Sequence, residues 1–185
     1  MRLYEYARKM CEGKVLYNDL TIEGQIPVKA YPGAILPIYQ TKKSAGADFF
    51  AAEDTVIPSI WKGLASVFVF NKISRTLCLE PSEGAAEIKK RFAPTLVHTG
   101  IKAAMEEDEV LYLYNHKDNP GKMGLVLADG VGMVDSDYYN NSDNDGEIAF
   151  AFYNFFPWDV MIQSGTRIGQ GVFAKYLRPE GRQEA

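Results

Sequence analysis

The segment GVGMVDSDYYNN, residues 130–141, ends an apolar run on a carboxylate and sets a second acid and two tyrosines directly behind it. An aspartate at a strand end beside glycines can orient a water molecule for attack and take its proton. An aromatic ring two or three residues further on can pack against a flat or puckered ligand. Asp135 is therefore the candidate base and Tyr138 the candidate packing residue. Taken alone, the segment reads equally as a surface turn with solvated acids. A calcium loop is excluded by its spacing. Counted from Asn141, NSDNDGEIAFAF puts Asp143, Asp145 and Gly146 in place, but its twelfth position is Phe152, where a bidentate glutamate is needed.

The elements that must carry these residues read as strands. EVLYLYNH (109–116) alternates Val110, Tyr112 and Tyr114 against Leu111 and Leu113, and EIAFAFYNF (147–155) alternates large and small apolar residues. Both have the period of two of a pleated strand. Turn signals at NPGK (119–122), ADG (128–130) and QSGT (163–166) separate short runs, as in an all-β sandwich or barrel. Helical periodicity is scarce. Apolar or aromatic residues at 3, 4, 7 and 10 predict a short amphipathic helix at the amino end, and PSEGAAEIKKRF (81–92), capped by Ser82, predicts a second.

Composition narrows the function. The 185 residues suit one domain with a sizeable core, and 46% hydrophobic and 24% charged residues are ordinary for a soluble protein. No stretch approaches the roughly 18 apolar residues of a membrane span. The charged start MRLYEYARKMCEGK has no secretion-signal core, so a cytoplasmic protein is expected. Cys11 and Cys78 suggest neither a disulfide framework nor a zinc site. A net charge of −4 argues against duplex nucleic acid, which needs a basic face; a single nucleotide needs only a few donors.

Four segments, SAGADFFAAED (44–54), HTGIKAAM (98–105), GLVLADGVGMVDSDYY (124–139) and SGTRIGQGVF (164–173), resemble the trimeric dUTP diphosphatases (dUTPases) in order and mostly in spacing. The resemblance covers about residues 26–177. It implies a jelly-roll-like β-barrel, a homotrimer with sites at subunit interfaces, a magnesium-bound deoxynucleoside triphosphate, and hydrolysis of dUTP to dUMP and pyrophosphate. Carried over by position, it makes Asp135 the water-activating aspartate, Tyr138 the residue that packs on deoxyribose, and Asp48 the aspartate of the first motif, which contacts metal through water. Gln170 becomes a phosphate contact and Gly132 a substrate contact.

The chain departs from the pattern at four places. Where the family carries Arg-Ser-Ser, this sequence has His116, Lys117 and Asp118, losing a bidentate guanidinium and a hydroxyl. Lys117 can neutralise phosphate and His116 can donate one hydrogen bond, whereas Asp118 repels phosphate unless a metal intervenes. The family's glycine-rich tail with arginine and phenylalanine is absent from AKYLRPEGRQEA, leaving Arg178 and Arg182 as the cations near that end. Residues 59–97 form an insertion bearing Trp61 and the run 67–70, expected to pack on the barrel or to meet a protein partner. Asp129 stands where the family has a uracil-reading asparagine, and a carboxylate suits the exocyclic amine of cytosine better than O4 of uracil. A hydrolase preferring dCTP or dCDP, or a nucleotide-binding relative without turnover, is therefore the alternative. A deaminase is not, because its glutamate would fall on Ala151. The expected division is an extension over 1–25, a domain over 26–177 and a tail over 178–185.

Overall fold

The computed structural model describes residues 2–7, 10–11, 14–15, 31–62 and 92–178. The strands in chain order are β1 (Leu3–Tyr6), β2 (Met10–Cys11), β3 (Lys14–Val15), β4 (Ala47–Phe50), β5 (Thr55–Ile57), β6 (Thr95–Ala104), β7 (Glu109–Asn115), β8 (Leu125–Leu127), β9 (Val131–Asp135), β10 (Ile148–Asn154), β11 (Val160–Ile162) and β12 (Arg167–Lys175). Two four-stranded antiparallel sheets dominate, with strand orders β1-β6-β10-β8 and β4-β12-β7-β9. The pairs β11-β5 and β2-β3 complete the set. This is the expected all-β, jelly-roll-like class, built as two separate sheets.

The two strands read from alternation form where expected, as β7 and β10. In β10 every second residue from Ile148 is buried, so Phe150 and Phe152 enter the core. Phe49 from β4 meets Phe150 with ring centroids 5.6 Å apart, which joins the two sheets. Each fully buried phenylalanine contributes roughly 1.5–3 kcal/mol by leaving water. Gly169 on β12 is required at this contact, since a Cβ there would lie 2.1 Å from Cε1 of Phe150.

The amphipathic helix expected at the amino end is not formed. Leu3–Tyr6 is a strand paired with Ala104–Ile101 at the edge of the first sheet. Tertiary contacts override the helical spacing: the Tyr4 ring meets Phe49 at 5.4 Å and Phe173 at 5.3 Å, and Nε of Arg2 donates to Glu109 at 2.6 Å. The second expected helix falls on 81–92 and lies, except for Phe92, outside the described residues. Of the 59–97 insertion only the ends are described. At its root Ser59 Oγ donates to the Phe156 carbonyl and Lys62 pairs with Asp159.

One feature of the topology decides where a ligand can enter. The turn Ala128–Gly130, with Gly130 at φ +71°, joins β8 to β9, yet β8 pairs with β10 in the first sheet and β9 with β7 in the second. The chain therefore splits at this turn, and a slot opens between two sheet edges.

Candidate functional site

A cleft of about 290 Å³ occupies that slot, lined among others by Asp129, Gly132, Asp135, Asp137, Tyr138 and Ala151. Among the described residues β9 is the last strand of its sheet, so the backbone groups on its outer side pair with no described strand and border the slot. Gly132 lies against Leu113, whose Cβ a side chain at 132 would meet at 3.1 Å, so glycine lets the two strands approach. Asp135 ends β9 and begins the short 3₁₀ turn Ser136–Tyr138, but its carboxylate makes no capping bond and is exposed. It also borders a second cleft of about 710 Å³ that includes Tyr176 and Arg178. The Tyr138 hydroxyl accepts from Asn144 Nδ2 at 2.6 Å and reaches the Glu147 carbonyl at 3.4 Å, which holds the ring at the cleft wall. Asp135, Tyr138, Gly132 and Asp129 are thus brought together as expected.

The loop behind Tyr138 is fixed by buried charge. Nζ of Lys102 donates to Asn140 and lies 3.2 Å from the Asp145 carboxylate, with side chains 9% and 2% exposed. Asn140 and Asp145 both take positive φ, a conformation that asparagine and aspartate tolerate better than most residues. Glu147, also buried, accepts from the Gly100 N–H, the Tyr31 hydroxyl and His98. The HTGIKAAM segment therefore clamps the loop that presents the tyrosine.

Asp48, Gln170, His116, Lys117 and Asp118 form a second group. Asp48 is fully buried; Oδ1 accepts from Gln170 Nε2 at 2.7 Å, and Oδ2 accepts from Gln40 Nε2 and Arg167 Nη1, both at 2.8 Å. Burial opposes ionisation of Asp48, but the bonds from Arg167, Gln170 and Gln40 outweigh it and hold the carboxyl below its ordinary value. His116 is buried beside this cluster; burial first, then the charge of Arg167, pushes its imidazole below the usual range. Lys117 is exposed. Asp118 turns to Lys122 at 2.8 Å, which lowers its pKa and partly neutralises the charge expected to repel phosphate.

The two groups do not meet within one chain. Cross-strand pairing places Asp48 beside Gln170, Tyr114 and Val131, whereas Asp135 pairs with Val110, itself opposite Ala174. The offset is four residues along β12 and three strands across the sheet, about 14 Å each way and roughly 20 Å overall.

Arg167, Gln40, Asn144 and Glu147 are site residues that motif reading passes over. Arg167 stands in the SGTRIGQGVF segment, but strict alternation puts residues 167 and 170 on opposite faces. A register shift between Arg167 and Gly169 turns both toward Asp48. The only sequence signal is the glycine at 169, which marks a bulge as readily as a turn.

No family model matches the chain. A deoxyuridine 5'-triphosphate nucleotidohydrolase of Lactococcus lactis is 47% identical over 93 residues, which is 49% of this chain and 62% of the relative, so the chain spans under two thirds of that protein. A protein of the same name from Helicobacter pylori is 30% identical over 152 residues, covering 82% of this chain and 79% of the relative. The dUTPase from Streptococcus mutans superposes with a TM-score of 0.60 at 35% identity, over 79% of this chain and 89% of that one. All three are named for the uracil nucleotide, so the cytosine alternative is not favoured. With the cleft, the two-sheet fold and these likenesses in agreement, the chain belongs to the dUTPase family.

Proposed function

We propose that this protein hydrolyses dUTP to dUMP and pyrophosphate, at sites shared between the subunits of a homotrimer. The observation that carries this reading is the slot where the free edge of β9, Tyr138 and Asp135 face one cleft. Backbone donors and acceptors on a strand edge can pair with the alternating acceptors and donor of uracil, and Tyr138 supplies a wall against which deoxyribose packs and a 2'-hydroxyl collides. Asp135 takes a proton from water as its oxygen joins phosphorus; the α–β anhydride bond breaks, and its electrons leave with pyrophosphate. Asp48, to which Arg167 and Gln170 are bonded, lies roughly 20 Å from Asp135 in the same chain. They serve the nucleotide held by another subunit, which is why the reading includes an oligomer.

Magnesium belongs to this proposal only as the companion of the triphosphate. Among the described residues no group of three or more His, Cys, Asp or Glu could hold a metal ion. Both oxygens of Asp48 are already taken by protein donors, one of them a guanidinium. Asp48 is therefore read as an anchor for donors whose contact with the ion is indirect, through water, and no step runs through the ion. A cytoplasmic location is part of the same reading; no described helix is long and apolar enough to cross a membrane.

The test is pyrophosphate release from dUTP, dCTP and the other deoxynucleoside triphosphates with magnesium. Release confined to dUTP is expected. Equal release from dCTP, or none from any, overturns the reading.

A further inference from the structure

The wall of the slot is held from behind by a side chain that lies outside all four segments resembling the family. The Tyr138 ring is 36% exposed and borders two clefts, the slot itself and another of about 380 Å³ lined by Tyr31, Leu96, His98, Asn144, Glu147 and Ala149. Packing therefore backs the ring over only part of its surface, and the ring torsion of a tyrosine is soft. A wall free to tilt into the second cleft would admit a 2'-hydroxyl beside it.

What fixes the ring is its hydroxyl. Asn144 Nδ2 donates to that hydroxyl at 2.6 Å and to the Glu147 carbonyl at 3.2 Å, while Asn144 Oδ1 accepts from the Gly146 N–H at 3.1 Å. An amide has two N–H donors, so each serves one of these acceptors and neither is spare. The hydroxyl in turn donates to the same Glu147 carbonyl at 3.4 Å. Both of its partners are themselves held. Glu147 is buried with its carboxylate bonded to the Gly100 N–H, Tyr31 and His98. The N–H groups of Asp143 and Asn144 donate to Asn141 Oδ1 at 2.9 and 3.0 Å, and Asn141 donates to the Tyr138 carbonyl from both its N–H and its Nδ2. The turn is thereby closed back onto the tyrosine, with Asn144 aimed at its hydroxyl.

We propose that Asn144 is a positioning residue that sets the discrimination between deoxyribonucleotides and ribonucleotides, by pinning the Tyr138 hydroxyl and so fixing the ring beside the sugar. Asn144 itself touches no substrate and acts through Tyr138. The inference rests on the dUTP-hydrolase reading, in which the ring faces the 2' position of the sugar, but it is separable from it. Loss of the pin opens the site to UTP, whereas loss of Asp135 removes dUTP hydrolysis itself.

The experiment compares kcat/KM for pyrophosphate release from dUTP and from UTP, with enough enzyme to read slow UTP turnover. The proteins are the full chain, Asn144→Ala, Tyr138→Phe and the double variant. A neutral hydrogen bond converts to roughly 3- to 10-fold. Asn144→Ala should lower the dUTP-to-UTP ratio by that factor, and Tyr138→Phe, which keeps the ring and removes the hydroxyl, by about as much. The double variant should lie within about twofold of Tyr138→Phe, because the two changes break one bond. A merely structural role for Asn144 lowers both substrates together and leaves the ratio where it was, which overturns the proposal. A further loss of the same factor in the double variant also overturns it, since Asn144 would then act by another route than the hydroxyl. If Asn144→Ala does not fold, Tyr138→Phe carries the test from the other end of the bond, and an unchanged ratio there refutes the assignment. A wild type that hydrolyses no dUTP refutes the underlying reading, and the proposal with it.

Discussion

If the two residue groups belong to one site built across subunits, two variants that are each nearly inactive must restore each other when mixed. Asp135→Asn removes the proton acceptor and should cost at least about a hundredfold in turnover. Gln170→Ala removes a hydrogen bond to phosphate and should cost about 10- to 100-fold. By the same cross-strand register and ordinary strand spacings Gln170 lies roughly 17 Å from Asp135, and the phosphorus attacked is attached through the 5'-oxygen to the very sugar that packs on Tyr138. On the proposed reading a single chain therefore does not complete the site. In trimers assembled at random from equal amounts of the two variants, a site is intact when the subunit giving Asp135 carries the Gln170 change and the subunit giving Gln170 carries the Asp135 change. Chance satisfies both conditions in about one site in four. Co-refolding the two proteins from urea and measuring pyrophosphate release should thus return about a quarter of wild-type activity. The refuting result is a mixture no more active than the mean of its two parents, or light scattering that shows a monomer at micromolar concentration.

Other consequences are more local. Lys102→Met removes the cation paired with the buried Asp145 carboxylate and should lower unfolding stability by roughly 3–5 kcal/mol in urea titrations; a loss below about 1 kcal/mol would show that the pair contributes little. The hydrogen bond from Arg2, with its charge, holds buried Glu109 at a pKa of about 2, against an ordinary 4.5. A depressed carboxyl stabilises above its ordinary value and loses that stabilisation as pH falls from about 4.5 towards 2. The gap in melting temperature between wild type and Arg2→Met should therefore be wide at pH 6 and narrow at pH 3, and a constant gap contradicts the pairing. If the free edge of β9 reads the base, as proposed, Asp129→Asn should change the dUTP-to-dCTP ratio of kcat/KM by less than about fivefold, whereas a larger shift, up to the hundredfold that an unsatisfied polar group can cause, would assign base reading to the side chain.

What the sequence determined by itself is local and periodic. Alternation in EVLYLYNH and EIAFAFYNF gives β7 and β10, because one buried face selects every second residue. Spacing within GVGMVDSDYY puts Asp135 and Tyr138 at one cleft, because two residues three positions apart across one tight turn cannot be far from each other. Tertiary structure decided the rest. Residues 3–6 became a strand because Phe49, Phe173 and the edge of β6 lay in reach, contacts with no trace in the spacing of 3, 4, 7 and 10. The cleft exists because β8 and β9 leave one turn for different sheets, a choice made by distant partners. Arg167 joined Asp48 through a bulge that breaks the period of two. The separation of Asp135 from Asp48 likewise follows from strand order, which depends on pairings between residues far apart in the chain and so cannot be read from any one segment.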